Sequence, residues 1–432
     1  MSHRPQTPTA ELAPLTAEEL RTLALEAGAD DAGVVEIGRA ALDDQREDLE
    51  HFYPWAKSLL SIVVRMNREP LRSTARSLAN LEFHSAGHDV DDVGRAVVRA
   101  LEARGVRAAN PAMGFPMETE RFPGKLWTVS HKPVAVAAGL GRMGIHRSVI
   151  HPRFGSFVLL GTIVVGETLD AYDEPVDFDP CMGCKLCVAA CPVGAIRPDG
   201  YFDFSACYTH NYREFMGGYT DYVEQVADAK NARDLRKKVS DSESVSWWQS
   251  LSYGANYKAA YCLGVCPAGE EVVAPFDQDR SGFVKDVLKP LQAKEETLYV
   301  LDGSDAERYA HRRFPHKSTR TVGNSLRPDS VAGFLRGMRL VFQREAAAGL
   351  DATYHFRFTG EEAVEATIEI RDRSLTVREG LHDAPDLVVT ADARAWVAFL
   401  RKERGIVPLL LTRKVRLKGP AKLLVAFGKC FP

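Results

Sequence analysis

The sequence predicts a multidomain chain of mixed α/β and α+β class, and three observations carry that expectation. The 432 residues correspond to about three domains of ordinary size. Strand and helix signals alternate through roughly the first 170 residues, which favours an α/β domain. Seven of the eight cysteines lie between Cys181 and Cys266, which marks off a middle unit before a last compact one. Hydrophobic residues make up 45% and charged ones 26%, so disorder, collagen and coiled coil are excluded for the chain as a whole. Fifty-five basic against 58 acidic side chains leave a net charge of −3. That balance gives no general pull toward nucleic acid, so no nucleic-acid partner is expected.

Residues 1–15 read as a disordered leader. They lack the apolar run of a signal peptide and a twin arginine. Apolar runs such as Val158–Leu160 and Ile163–Val165 are too short to span a bilayer. The expected location is therefore the cytoplasm, where clustered cysteines bind metal or do redox chemistry more often than they form disulfides. Thr16 with Glu19 three residues on makes a capping box, and the helix it opens runs toward Gly28. Gly33–Val35 and Ser58–Val64 read as strands. From Val90 to Arg104 apolar residues recur at helical spacing, and Gly105 ends that helix. Phe157–Val165 is a further strand. Beyond Glu270 the chain reads as polar and irregular to about Arg327, with one short strand at Leu298–Leu301 and a solvated basic stretch from His311 to Lys317. The last unit holds a helix over Phe334–Phe342. Strands follow at Ala352–Phe358, Ala366–Ile370 and Leu387–Thr390, and a helix starts at Ala395.

Cys181, Cys184, Cys187 and Cys191-Pro192 form C-x2-C-x2-C-x3-C-P, the bacterial ferredoxin run. Three thiolates on a tight loop hold one corner of a cubane. The fourth, one helical turn on, points to another cluster. Cys262 and Cys266-Pro267 repeat the C-x3-C-P half. The two-cluster rule then assigns Cys181, Cys184, Cys187 and Cys266 to one complete [4Fe–4S] cluster. Cys191, Cys262 and the lone Cys207 serve a second. Regular spacing asks for a cysteine at position 259, where this chain has Ala259. The second cluster is thus either a three-iron centre or a four-iron one with an open or non-cysteine ligand, for which His210 is a candidate. Cys430 reads as a small buried hydrophobe. Gly139, Gly141 and Gly144 match G-x-G-x-x-G, and the expectation is a close backbone approach to a large cofactor. Pro152 leaves little room for the long helix of a dinucleotide site.

In its order of motifs the chain resembles epoxyqueuosine reductase and its relatives, the reductive dehalogenases. Tyr53-Pro-Trp-Ala-Lys-Ser58, Ala138-Gly139-Leu-Gly141 and Pro152-Arg-Phe-Gly155-Ser156 come first. The ferredoxin run, Cys207 and Cys262…Cys266-Pro267 follow, and the resemblance covers about residues 16 to 320. It implies a cobalamin held without a lower protein ligand, two clusters that deliver single electrons to it, and an external low-potential electron donor. The family's acidic proton donor falls near Ser130 here, and serine is a poor general acid at neutral pH. His131, Lys132 and Tyr208 are the substitute donors. The expectation is therefore a related reduction of another substrate. Phe356-Arg-Phe358-Thr-Gly360, Ala384-Pro-Asp386 and Val415-Arg-Leu-Lys418-Gly419 resemble the sterol-carrier-protein lipid-binding domain. That resemblance covers about residues 328–432 and implies a five-stranded sheet and an apolar small molecule or lipid as partner. Residues 401–432 hold nine basic side chains and one acid, a pattern suited to peripheral contact with an anionic membrane.

The expected layout is a cofactor domain at 16–175, a ferredoxin-like iron–sulfur module at 176–270, a connector packed on it at 271–327, and a sterol-carrier-protein-like α/β domain at 328–432. Two other readings stand beside the reductase. One is an electron-transfer or lipid-binding module without its own chemistry. The other is a flavin in place of the corrinoid.

Overall fold

The computed structural model describes residues 14–111, 128–214 and 218–432. Most of the expected leader lies outside the described residues. In the first domain the Ala17–Glu26 helix opens on the capping box of Thr16 and Glu19. Strands β1 (Asp31–Glu36), β2 (Ser58–Arg65), β3 (Ala108–Ala109) and β6 (Val158–Val165) form one sheet in the order β1-β2-β6-β3. Every pairing in it is antiparallel. The alternation of strands and helices is therefore real, but it builds no parallel crossover.

The sheet is buried on both faces because its strands are apolar throughout. Val34, Leu60, Ile62 and Ile163 pack on Leu20 and on Val90, Val93 and Val97. Val35, Leu59 and Val164 pack on Val134 and Ala137 of the His131–Ala137 helix. The helix expected from Val90 begins much earlier and spans Arg76–Ala103. A side chain at Gly161 would collide with Val90 and Ile62, so glycine there lets this helix lie close to the sheet. Strands β4 (Arg142–Met143) and β5 (Val149–Ile150) make a small hairpin beside it.

The middle unit is built from short helices around the cysteines. The Gly218–Ala227 and Asp241–Tyr253 helices are inserted between Cys207 and Cys262. Buried charge anchors them: Arg213 pairs with Asp221 at 2.6 Å, and Arg320 pairs with Glu243. The stretch after Glu270 is not irregular. It contains helices Ala274–Gln278, Arg280–Phe283, Lys289–Ala293 and Asp305–Arg313. Its polarity misled because these helices bury narrow faces. In the last of them, acids sit in the first turn and bases in the last, as the helix dipole favours. Lys317 is also not solvated: it is buried and donates to Lys294 O at 2.6 Å and to Glu296 at 2.7 Å. Strands β7 (Thr297–Val300) and β8 (Ser318–Thr321) pair in parallel.

The C-terminal domain holds a five-stranded sheet, as the second resemblance implies. Strands β9 (Ala352–Thr359), β10 (Glu365–Arg371), β11 (Ser374–Glu379), β12 (Leu387–Asp392) and β13 (Val415–Lys418) run in the order β11-β10-β9-β12-β13. Helices Val331–Val341, Ala393–Leu400 and Ala421–Lys429 close an aromatic core of Phe334, Phe356, Trp396 and Phe427. Cys430 is fully buried there. Among the described residues no helix is long and apolar enough to cross a membrane.

Candidate iron–sulfur site

Local backbone explains why the cysteine loop wraps. Met182, Gly183 and Lys185 all take left-handed conformations, which coil the chain tightly between Cys181 and Cys187. The Leu186–Ala190 helix is a single turn, and it carries the chain from Cys187 to Cys191. The second half repeats the device. Ala260 has φ 55 and ψ 22, nearly the values of Lys185 at 55 and 18, and it caps the one-turn Tyr261–Gly264 helix. Ala260-Tyr-Cys262 thus repeats the spacing of Lys185-Leu-Cys187 and its left-handed first residue. Position 259 stands where Cys184 stands in the first half. Cys207 rides on the Phe204–Asn211 helix, whose N-cap Asp203 accepts from Ala206 N–H at 2.9 Å.

The seven thiols act on one another electrostatically. Cys187 feels Cys262, Cys266, Cys184 and Cys181, and Cys266 feels Cys184 and Cys181. Cys207 feels Cys191 and Cys262. Cys262 acts on Cys187 as well as on Cys207, and Cys266 acts on Cys262, so these charges link all seven thiols rather than dividing them. Burial and the neighbouring sulfurs push the Cys262 thiol up to about 12 and burial above all lifts Cys266 to about 11; Cys187 and Cys207 rise further for the same reasons. Buried thiolates so close together need a compensating metal charge. Among the described residues no three His, Cys, Asp or Glu side chains converge on one ion's position; a cubane instead takes each thiolate on a different iron. Backbone N–H groups assist: Ala195 donates to Cys191 Sγ at 3.2 Å and Ile145 to Cys181 Sγ at 3.5 Å.

Ala259 is buried in the same core as Cys191, Cys207 and Cys262, and its N–H donates to Asn211 at 2.9 Å. His210 does not fill the corner. Its ring stacks on Tyr299 and its Nδ1 accepts the Tyr299 N–H at 3.3 Å. The charges around it are Glu296, Lys258, Lys317 and Lys294 rather than the cysteines. One helical turn from Cys207, it has rotated toward β7.

Of the three substitute proton donors, the structure brings Lys132 to two of the thiols. Its ammonium donates to Arg147 O at 2.7 Å and lies within electrostatic reach of Cys207 and Cys262. Burial lowers its pKa, and those sulfurs oppose the shift. His131 bonds Thr162 through Nδ1 at 2.9 Å, and burial holds it near 4. Tyr208 packs on Phe204, and burial raises its hydroxyl to about 12.

The three glycines turn out to serve the chain's own packing. The run follows the His131–Ala137 helix instead of opening one. A Cβ on Gly139 would meet Glu174 O at 2.7 Å, one on Gly141 would meet Ile150 O at 2.4 Å, and one on Gly144 would meet Ile150 at 2.7 Å. The close approach that the structure shows at Gly139, Gly141 and Gly144 is to the β4–β5 hairpin and the 174 loop.

Sequence reading missed three residues at the site. Arg72 donates to Gly264 O at 3.2 Å and lies over Phe157 and Phe283. Arg76 lies 5.1 Å from the Tyr261 ring centroid, beside Cys262, and its Nε and Nη2 are buried without a partner. Buried His146 has an unpartnered Nε2 and faces Lys132. The two arginines are spaced i, i+4 before an apolar helix, and a basic pair there is indistinguishable from a solvated one.

Comparisons with known proteins follow the same division. A 4Fe-4S binding domain model matches residues 174–197, and the SCP-2 sterol transfer family model matches residues 340–432. An epoxyqueuosine reductase of Gloeobacter violaceus is 27% identical over 172 residues, which are 39% of this chain and 50% of that protein. The chain spans about half the length of the first curated relatives it matches. A solved structure of epoxyqueuosine reductase with an epoxyqueuosine-modified tRNA stem loop has a TM-score of 0.34 at 16% identity, covering 75% of this chain and 80% of that one. A catabolic reductive dehalogenase has a TM-score of 0.38 at 15% identity, covering 63% and 38%. The chain is therefore similar to epoxyqueuosine reductases through its first two parts, joined to a part similar to sterol carrier proteins.

Proposed function

We propose that the chain is an iron–sulfur reductase that passes electrons through two clusters to a substrate site on its first domain. The observation that carries this reading is the gathering of seven buried and part-buried thiols into one electrostatically linked set, with Lys132 of the first domain set against Cys207 and Cys262. When bound, the clusters supply single electrons at low potential. The chain's own residues do the rest. Cys187 and Cys191, and again Cys262 and Cys266, sit one turn apart on rigid short helices, so they fix the separation of the two centres. Gly155 presses against Ala268 O, where a Cβ would come within 1.9 Å, and Arg72 bonds Gly264, so the module is locked to the first domain. Lys132 holds a proton next to Cys207 and Cys262 and is the donor we assign.

Cobalamin, implied by the resemblance, is the proposed electron acceptor. The orphaned Nε2 atoms of His131 and His146 support a polar partner near the His131–Ala137 helix. The C-terminal domain would present an apolar or lipid-like substrate, and its exposed Val407, Leu411 and Val425 amid basic residues support contact with an anionic bilayer. The near-neutral charge supports a small molecule over a nucleic acid.

The test is anaerobic purification followed by iron, sulfide and corrinoid analysis. Expected are seven to eight irons per chain, from about four per cubane, a cobalamin spectrum on reconstitution, and no anisotropy change with a tRNA stem loop. Absence of clusters would overturn the reading. Clusters without any corrinoid binding would favour the electron-transfer reading, which Ala259 and the position of Tyr208 support.

A further inference from the structure

The corner of the second cluster nearest Ala259 has a particular construction. The backbone there keeps the ligand-loop shape, since Ala260 repeats the left-handed turn of Lys185. Only the sulfur is missing. The methyl of Ala259 is buried in a core shared by Cys184, Cys187, Cys191, Cys207 and Cys262, and its N–H is already held by Asn211, so the loop cannot swing away without breaking that bond. His210, the nearest imidazole in sequence, is turned onto Tyr299. Two cations lie near Cys262. Lys132 faces Cys207 and Cys262 with one hydrogen bond of its own. Arg76 stands beside Cys262 with two buried donors unpaired. Glu296 also faces Arg76, but it is already bonded to Lys317 and Tyr261.

A buried unpaired guanidinium edge is costly unless an anion comes to it, and a planar carboxylate matches its fork. We propose that the Ala259 corner is an open coordination position that takes the carboxylate of a molecule from outside the chain, with Lys132 and Arg76 neutralising it. The inference rests on the two-cluster reading and narrows its substrate class to an apolar carboxylic acid. A lipid-binding C-terminal domain suits such a molecule. With a cluster bound, the carboxylate would stand where the fourth thiolate otherwise stands, and no bond in the acid need break.

The test uses the full chain, reconstituted anaerobically and reduced, with carboxyl-¹⁷O octanoate as probe and octanol as control. Expected is ¹⁷O hyperfine coupling in the EPR-detected signal of the second cluster, with none from octanol. Ala259→Cys should abolish it at unchanged iron content. Lys132→Gln and Arg76→Gln should each weaken the apparent affinity at least tenfold, with Arg76→Lys intermediate. Iron and sulfide counts separate the two levels. If clusters fail to assemble, the underlying reading falls. If both assemble and octanoate gives no coupling, or Ala259→Cys retains it, the open corner is refuted. A three-iron centre that takes up no ferrous ion on reduction also refutes it.

Discussion

Cys191 and Cys184 differ little in sequence context, yet the proposed function gives them to different clusters. Cys191→Ala should therefore lower the iron of the second centre and spare the first, whereas Cys184→Ala should do the reverse. Mössbauer spectra of the two reconstituted variants distinguish these outcomes, and equal loss from both centres would break the assignment. Histidine burial gives a pH prediction. Desolvation holds His146 and His210 near 4, against an ordinary value of 6.5. As pH falls below 6.5 the unfolded chain takes up protons there, while the folded chain does not until about 4. Stability is thus full above 6.5 and declines between 6.5 and 4, by up to roughly 3 kcal/mol for each histidine. His210→Gln should flatten the fall of the anaerobic melting temperature between pH 7.5 and 5; a parallel fall would show that His210 titrates freely. At this scale the ferredoxin-type run from Cys181 to Cys191 was legible, because its spacing is set by the cluster. Arg76 was not, because a lone arginine is read as solvated until its helix is known to be buried.

Among the elements, the Ala17–Glu26 helix tests the simplest inference. Thr16→Ala removes the bond to Glu19 N–H at 3.2 Å and should cost about 1 kcal/mol, visible as a small drop in melting temperature with intact clusters. Gly155→Ala should act differently. Its φ of 65 disfavours a side chain, and Ala268 O occupies the Cβ position, so the module must lift off the first domain. We expect a loss of about 3 kcal/mol or more together with lower iron retention; a variant that melts normally would show the contact to be soft. Apolar strands such as Ser58–Arg65 and capped helices were legible from local pattern. The helices after Glu270 were not, since their buried faces are one or two residues wide. Nor was the antiparallel pairing, because periodicity identifies strands but says nothing of their neighbours. The glycine run shows the same limit: G-x-G-x-x-G recorded a close approach without recording what approaches.

Across the whole molecule, the C-terminal domain is docked rather than tethered. Buried Gln343 accepts from Asp305 N–H at 2.8 Å, Asp305 accepts from Glu345 N–H at 2.7 Å, and Tyr201 donates to Phe342 O at 3.2 Å. Gln343→Ala leaves buried partners unpaired, at about 1–3 kcal/mol each. It should split off a separate calorimetric transition for residues 328–432; a single unchanged transition would mean the seam contributes little. The iron–sulfur run and the sterol-carrier-like part were legible from their motifs, while this seam was not, since its residues are scattered and individually ordinary. The pairing of Cys181, Cys184 and Cys187 with Cys266 has one more consequence, in time rather than space. The fourth ligand follows the first by about 85 residues. At roughly 5–20 residues per second, a ribosome needs several seconds to deliver it. The first three thiols therefore wait, exposed to oxidants and to competing metals, until the partner emerges. Closure of the first centre therefore waits on Cys266, and a chain truncated just before it would keep Cys191, Cys207 and Cys262 but leave the first centre one thiolate short.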